Sequence, residues 1–167
     1  MPRPTPPGAG AETLRAKRLR APLLITLWTL LAIEALGGLV IFFARLAWGV
    51  TPGETLHVLG GVALTLAYAI YQWQHWSRVA PFRARLDYAL GLIAAIFMAA
   101  TNLTGLWLGA LWWQVRIAEA SGGAVRYPSP LSAAHNIGSM VVLTFVGAHL
   151  GAVLTRDARV RRERRGA

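Results

Sequence analysis

Four long apolar stretches alternate with shorter polar segments along the chain, at about residues 23–47, 56–76, 88–113 and 133–155. Each stretch is long enough to cross about 30 Å of hydrocarbon as an α-helix, which rises about 1.5 Å per residue. The pattern therefore predicts an all-α integral membrane protein built as a four-helix bundle.

The two ends of the chain are polar. Residues 1–21 are proline-rich and then basic, with a start that we expect to be disordered, and residues 156–167 form a second basic segment. A basic lead before an apolar run is also typical of a signal peptide, but this run exceeds twenty residues and lacks a small-residue cleavage site. We expect an N-terminal segment 1–21, a membrane domain 22–155 and a tail 156–167.

The composition agrees with a membrane protein. Hydrophobic residues make up 55% of the chain and charged residues only 14%, with a mean hydropathy of +0.46. A soluble domain carries about 25% charged residues. The chain has no cysteine, which excludes disulfides, iron–sulfur clusters, zinc–thiolate sites and a thiol nucleophile.

The positive charge is distributed unevenly across the predicted membrane. Of the 17 Lys and Arg residues, 14 lie in the two ends and in the connection between the second and third stretches. Only Arg45, Arg116 and Arg126 lie on the other side. By the positive-inside rule, both termini are expected to be cytoplasmic, in a multi-pass protein of the bacterial inner membrane. The net charge of +10 thus indicates topology and contact with membrane lipid, with no nucleic acid as partner.

All four histidines lie in the second and fourth stretches. Eighteen positions separate His57 from His75, and at about 100° per residue these make five whole turns, so both lie on one face. Fourteen positions separate His135 from His149, which return to within about 40° of each other. Since both stretches run from outside to inside, we expect an outer pair, His57 with His135, and an inner pair, His75 with His149.

The predicted helix starts place the outer pair at matched depth. Thr51-Pro52 and Ser129-Pro130 each indicate an N-cap followed by proline at the first helical position, and Glu54 completes a capping box with Thr51. Each first histidine follows its cap by six residues and precedes a glycine by three.

Paired imidazoles inside a membrane favour haem binding. A haem iron accepts one nitrogen on each face of the porphyrin, and neutral imidazole is a suitable ligand. A metal without a porphyrin is less favoured because no carboxylate or thiolate shares these faces. The alternative is that the histidines are packing residues or members of a proton relay. We expect two haem b groups, with His57 and His135 as outer axial ligands and His75 and His149 as inner ones.

Residues 135–149, HNIGSMVVLTFVGAH, resemble the last-span motif of the four-helix di-haem b-type membrane cytochromes. This family includes the cytochrome b subunits of formate dehydrogenases and hydrogenases and small bacterial cytochromes b, and the resemblance covers about residues 23–155. Smaller members often take a ligand from the first span, which here has no histidine. Two ligands on each of two helices is closer to the cytochrome b of quinol:cytochrome c oxidoreductases.

The second stretch departs from this pattern because its histidines stand eighteen apart, and Tyr71 occupies the position fourteen after His57. The four extra residues displace His75 by about 6 Å along the helix, close to the cytoplasmic interface. The outer pair is therefore the better matched. The alternative for His75 is an interfacial histidine that titrates against solvent.

Glycines on the third stretch stand at the same spacing as the histidines of the fourth. Gly91 and Gly105 are fourteen apart, at the expected depths of the two haems, where a missing Cβ permits a porphyrin edge to approach the backbone. Close packing of helices through small residues is an equal alternative.

One acidic residue and two arginines have candidate roles. Glu34 lies near the middle of the first stretch with no Lys or Arg at its depth, so we expect it to be protonated or hydrogen-bonded, with Asn102 or Thr101 as partner. A proton path or a quinol site is a second interpretation. Arg45 and Arg116 are candidates for pairing with haem propionates.

These features predict a di-haem b-type cytochrome that carries electrons across or within the membrane. We expect a quinone-linked subunit of a larger redox complex, with the quinone pool and a separate redox protein as partners. The alternatives are a free-standing membrane oxidoreductase, such as a quinone-linked reductase, and a haem-free four-pass scaffold or assembly factor.

Overall fold

The computed structural model describes residues 9–76, 86–120 and 128–166, which form four α-helices. These are α1 (Ala9–Trp48), α2 (Glu54–Trp76), α3 (Leu86–Ala120) and α4 (Ser129–Gly166). Each contains a segment long and apolar enough to cross a membrane: Pro22–Trp48, Glu54–His75, Tyr88–Ala120 and Ser129–Arg156. The prediction of an all-helical protein with four membrane-length helices is confirmed.

Several helices extend beyond the predicted spans. Helix α1 begins at Ala9 and continues through Pro22, so much of the basic lead is helical, and α4 continues through the basic tail to Gly166. Ala, Leu, Glu, Arg and Lys dominate the lead after Ala9, and these are strong helix formers. Helix α3 also runs on to Ala120, beyond the end of the third apolar stretch at about residue 113. The start of the chain, expected to be disordered, lies outside the described residues.

The start of α2 differs from the prediction. Gly49 and Gly53 have positive φ angles of 71° and 74°, and the carbonyl of Gly53 accepts the N–H of His57 at 3.0 Å. Gly53 therefore occupies the cap position, and the prediction of Thr51 as N-cap was wrong, because the intervening turn needs the left-handed conformation that glycine permits. The Thr51 hydroxyl instead donates to the Glu54 carboxylate at 3.2 Å.

The helices pack in a ring in the order α1, α2, α3, α4. The α3–α4 contact is the most extensive, followed by α1–α2, and the α1–α4 contact is the smallest. Within the described residues α1 does not approach α3, nor α2 approach α4, closely enough for backbone contact. The histidine-bearing helices α2 and α4 are therefore diagonal partners that face each other across the interior.

The interior is sparsely filled. No described side chain is completely buried, and the buried apolar residues are mostly small or medium-sized: Leu27, Ala44, Leu64, Ala94, Ala95, Met98, Trp112, Val115 and Val142. Most large apolar side chains point outwards, as expected for helices surrounded by lipid. Trp112 is only 8% exposed and faces the interior, whereas Trp48 and Trp113 are exposed.

The α3–α4 contact depends on Gly138. A Cβ at this position would lie 2.7 Å from Thr101 Oγ1 on α3. We predict that Gly138→Leu lowers the free energy of unfolding in detergent by about 1–3 kcal/mol, because the side chain forces the two helices apart. Gly151→Leu on the same helix is the control, since no atom lies within 4 Å of a Cβ there. Equal loss of stability in both variants would contradict this packing.

Candidate functional site

His57 and His135 meet in the middle of the bundle. They project from the diagonal helices α2 and α4, and their ring centroids are 6.3 Å apart with the ring planes inclined at 67°. The structure thus brings together the outer histidine pair. Two imidazole nitrogens bound in line to one metal, at about 2 Å each, place their ring centroids about 6 Å apart. The observed separation therefore suits two ligands on opposite sides of one metal ion.

The Nδ1 atom of His57 lies against a carboxylate. Glu34 Oε2 of α1 is 2.8 Å from this nitrogen, and Glu34 is only 8% exposed. The sequence predicts Asn102 or Thr101 as the partner of Glu34, but in the structure its partner is His57. Although the two atoms are in close contact, the carboxylate oxygen lies off the direction of a ring N–H, so Nδ1 makes no hydrogen bond.

The Nδ1 atom of His135 lies against a backbone carbonyl. Thr101 O is 3.1 Å away and Thr104 Oγ1 is 3.3 Å away. The Thr104 hydroxyl donates its own proton to a carbonyl of its helix, at 2.9 Å to Thr101 O or 3.0 Å to Ala100 O. Because a carbonyl only accepts, Nδ1 of His135 must carry the proton, which leaves Nε2 unprotonated in the neutral ring.

These contacts match the environment of metal-binding histidines. A ligating histidine almost always directs its second ring nitrogen at a carboxylate or a backbone carbonyl, which fixes the tautomer and the ring orientation. His57 has the carboxylate and His135 has the carbonyl. Both rings therefore have, at Nδ1, the kind of partner that accompanies metal-binding histidines.

A cavity of about 530 Å³ surrounds the two rings and is lined by all four helices. This volume falls within the range of small-molecule and cofactor pockets. Its walls are mainly apolar, and at its outer end it reaches Arg45 and Glu54. Arg116, the second expected propionate partner, lies with its guanidinium carbon 5.5 Å from the centre of the Trp112 ring, which also lines the cavity.

Glycines give the histidine rings their space. A Cβ on Gly105 would lie 2.9 Å from Cε1 of His135, and a Cβ on Gly38 would lie 3.2 Å from Cε1 of His57. Gly91 is placed in the same way, with a Cβ at 2.9 Å from Cε1 of His149. The two glycines singled out on the third stretch therefore each face a histidine ring of α4.

The outer site is built from the same local arrangement twice. In each helical hairpin, α1–α2 and α3–α4, the first helix carries the residue that lies against Nδ1 and, four residues later, a glycine against the histidine ring. The second helix carries the histidine and, three residues later, a glycine against the acceptor residue. The two sets are Glu34, Gly38, His57 and Gly60 in the first hairpin, and Thr101, Gly105, His135 and Gly138 in the second.

This correspondence ends in the inner half of the bundle. Ten residues before Thr101 stands Gly91, but ten residues before Glu34 stands Leu24. Fourteen residues after His135 stands His149, but fourteen after His57 stands Tyr71. The first hairpin thus has the large Leu24 on α1 where the second has Gly91 on α3. It also has Tyr71 on α2 where the second has His149 on α4.

The two inner histidines differ from the outer pair in their surroundings. His149 is half-buried and lies against Gly91. His75 is exposed near the end of α2, and its ring stacks on Tyr71 with centroids 5.6 Å apart and planes inclined at 19°. Pairing of His75 with His149 stays a prediction.

The described residues contain no cluster of three or more His, Cys, Asp or Glu side chains that suits a metal ion held by protein alone. An iron porphyrin needs only two axial ligands from the protein. No family model, curated protein or solved structure matches the chain.

The Glu34–His57 contact yields a prediction about stability. His57→Leu leaves the buried carboxylate without its partner, which destabilises the protein by about 3 kcal/mol. Adding Glu34→Leu to that variant removes the unpaired carboxylate, so we expect the double variant to be more stable than His57→Leu alone. The measurement is the free energy of unfolding in mixed micelles. A further loss on adding Glu34→Leu would show that the two side chains are energetically independent.

Proposed function

We propose that this protein is a di-haem b-type membrane cytochrome that carries electrons across or within the membrane. The observation that carries the proposal is the opposed pair of imidazoles, His57 and His135, inside a cavity bounded by all four helices. The outer haem is held by these two side chains. The inner haem is held by His75 and His149.

The contacts of the outer pair support haem ligation over simple packing. Packing alone requires neither a glycine under each ring nor an interior in which no described side chain is completely buried. A flat apolar cofactor fills such a space, and the Nδ1 partners leave both Nε2 atoms for the iron. The bound haem supplies one-electron chemistry, and the protein supplies ligation, spacing and an apolar surrounding that tunes the potential.

The inner site is supported by His149 and Gly91, which match the outer combination of His135 and Gly105. His75 lies one helical turn beyond Tyr71, the position that corresponds to His149. Two sites separated by fourteen residues of α4 are about 20 Å apart along the helix, a spacing that leads electrons from one side of the bilayer towards the other.

The proposed orientation has both termini in the cytoplasm of a bacterial cell, with the protein in the inner membrane. Four helices in antiparallel succession bring both ends to one side, and this side carries 14 of the 17 basic residues. The outer haem then lies towards the exterior. Electrons are exchanged with the quinone pool and with a separate redox protein. This chain is the quinone-linked subunit of the complex that the two proteins form.

The alternative is a free-standing membrane oxidoreductase, such as a quinone-linked reductase. The extension of the cavity to Arg45 and Glu54 favours it, because polar side chains at the outer end can receive a small substrate. Purification in mild detergent distinguishes the two functions, since a subunit brings redox proteins with it and a free-standing enzyme does not.

We predict about two haem b groups per chain in a pyridine haemochrome assay. His135→Ala removes one of them, because the outer iron loses an axial ligand. Ser139→Ala is the matched control on the same helix face, since its hydroxyl donates only to the His135 carbonyl, at 2.8 Å, and this variant keeps both haems. The absence of any b-type band from the reduced-minus-oxidised spectrum would contradict the proposal and favour a haem-free scaffold or assembly factor.

The inner site is tested separately. His75→Ala is expected to lower the haem content from about two per chain to about one and to leave the outer haem spectrum unchanged, because His75 is remote from His57 on α2. Tyr71→Phe keeps the ring that stacks on His75 and is the control. A haem content still near two after His75→Ala would exclude His75 as a ligand.

A further inference from the structure

The two histidines of the outer site, which would hold the haem, have unequal partners at Nδ1. The first hairpin directs a carboxylate, Glu34, at Nδ1 of His57, whereas the second directs the Thr101 carbonyl at Nδ1 of His135. We propose that Glu34 is a positioning residue that acts through His57 and lowers the midpoint potential of the outer haem. This inference rests on the proposed function and assigns Glu34 a role within the same site.

The position of Glu34 is built into the helix contact. Its side chain is buried between α1 and α2, and Oε1 lies where a Cβ of Gly60 would stand. Gly60 is thus the residue that admits the carboxylate, as Gly138 admits Thr101 on the other side. A buried carboxylate inside a membrane is expensive to maintain, and such residues are functional by default.

The physical effect follows from charge and ligand strength. A carboxylate close to Nδ1 increases the basicity of the imidazole, so Nε2 donates more strongly to the iron. Its negative charge also stabilises the oxidised haem more than the reduced haem, and the interior weakens this attraction less than water does. Both effects lower the potential. A neutral carbonyl acts in the same sense but more weakly, because it carries no net charge.

Glu34→Gln tests the role of the charge, because the amide keeps the size of the side chain. Potentials are measured by spectroscopic redox titration of the purified protein at one pH. The outer haem is identified as the transition that His135→Ala removes. We expect Glu34→Gln to shift this transition to higher potential and to leave the inner transition unchanged.

Gly60→Ala tests the same role without changing the carboxylate. The added Cβ collides with Glu34 and displaces it from His57, so the outer potential rises as in Glu34→Gln. Gly61→Ala is the matched control, because a Cβ there lies 3.7 Å from Glu34 Oε2, an ordinary contact, and the potential stays at the wild-type value. The double variant Glu34→Gln with Gly60→Ala shifts no further than Glu34→Gln alone.

The outcomes separate this role from the proposed function. A wild-type protein without haem overturns both. A haem-loaded protein whose outer potential is unchanged in Glu34→Gln overturns the role of Glu34 and leaves the cytochrome intact. Loss of the outer haem in Glu34→Gln, with Gly60→Ala at the wild-type potential, also overturns it, since Glu34 would then be needed only for assembly.

Discussion

The outer half of the bundle is organised around two imidazole rings that face each other across the axis. Their ring centroids are 6.3 Å apart although α2 and α4 are diagonal and make no backbone contact with each other. Each ring is oriented through Nδ1, by Glu34 on one side and by the Thr101 carbonyl on the other. The neighbouring glycines leave the space in which these contacts form.

Glycine positions account for how a narrow bundle accommodates such rings. Small residues in membrane helices usually permit two backbones to approach closely. Here Gly38 and Gly105 instead face imidazole rings, and Gly60 and Gly138 face the side chains of Glu34 and Thr101. Because a Cβ at any of these places meets a side chain at contact distance or closer, the glycines and the polar residues form one interlocking set.

The two halves of the bundle are not equivalent. In the outer half both hairpins supply a residue that lies against Nδ1, a histidine and two glycines in the same relation. In the inner half, Leu24 and Tyr71 stand where the second hairpin has Gly91 and His149. This difference gives the eighteen-residue spacing in α2 a structural context, since His75, near the C-terminal end of α2, follows Tyr71 by one turn and stacks on it.

The amino-acid sequence by itself determined the four membrane-length helices, because crossing a bilayer requires long apolar runs that are visible without any tertiary information. Helical periodicity likewise placed all four histidines on two faces. Only the tertiary structure decided which side chains meet: the partner of Glu34, the carbonyl that orients His135 and the cap at Gly53 were not predicted. Periodicity fixes the angle of a residue around its own helix, whereas such contacts depend on how neighbouring helices are rotated and displaced against each other.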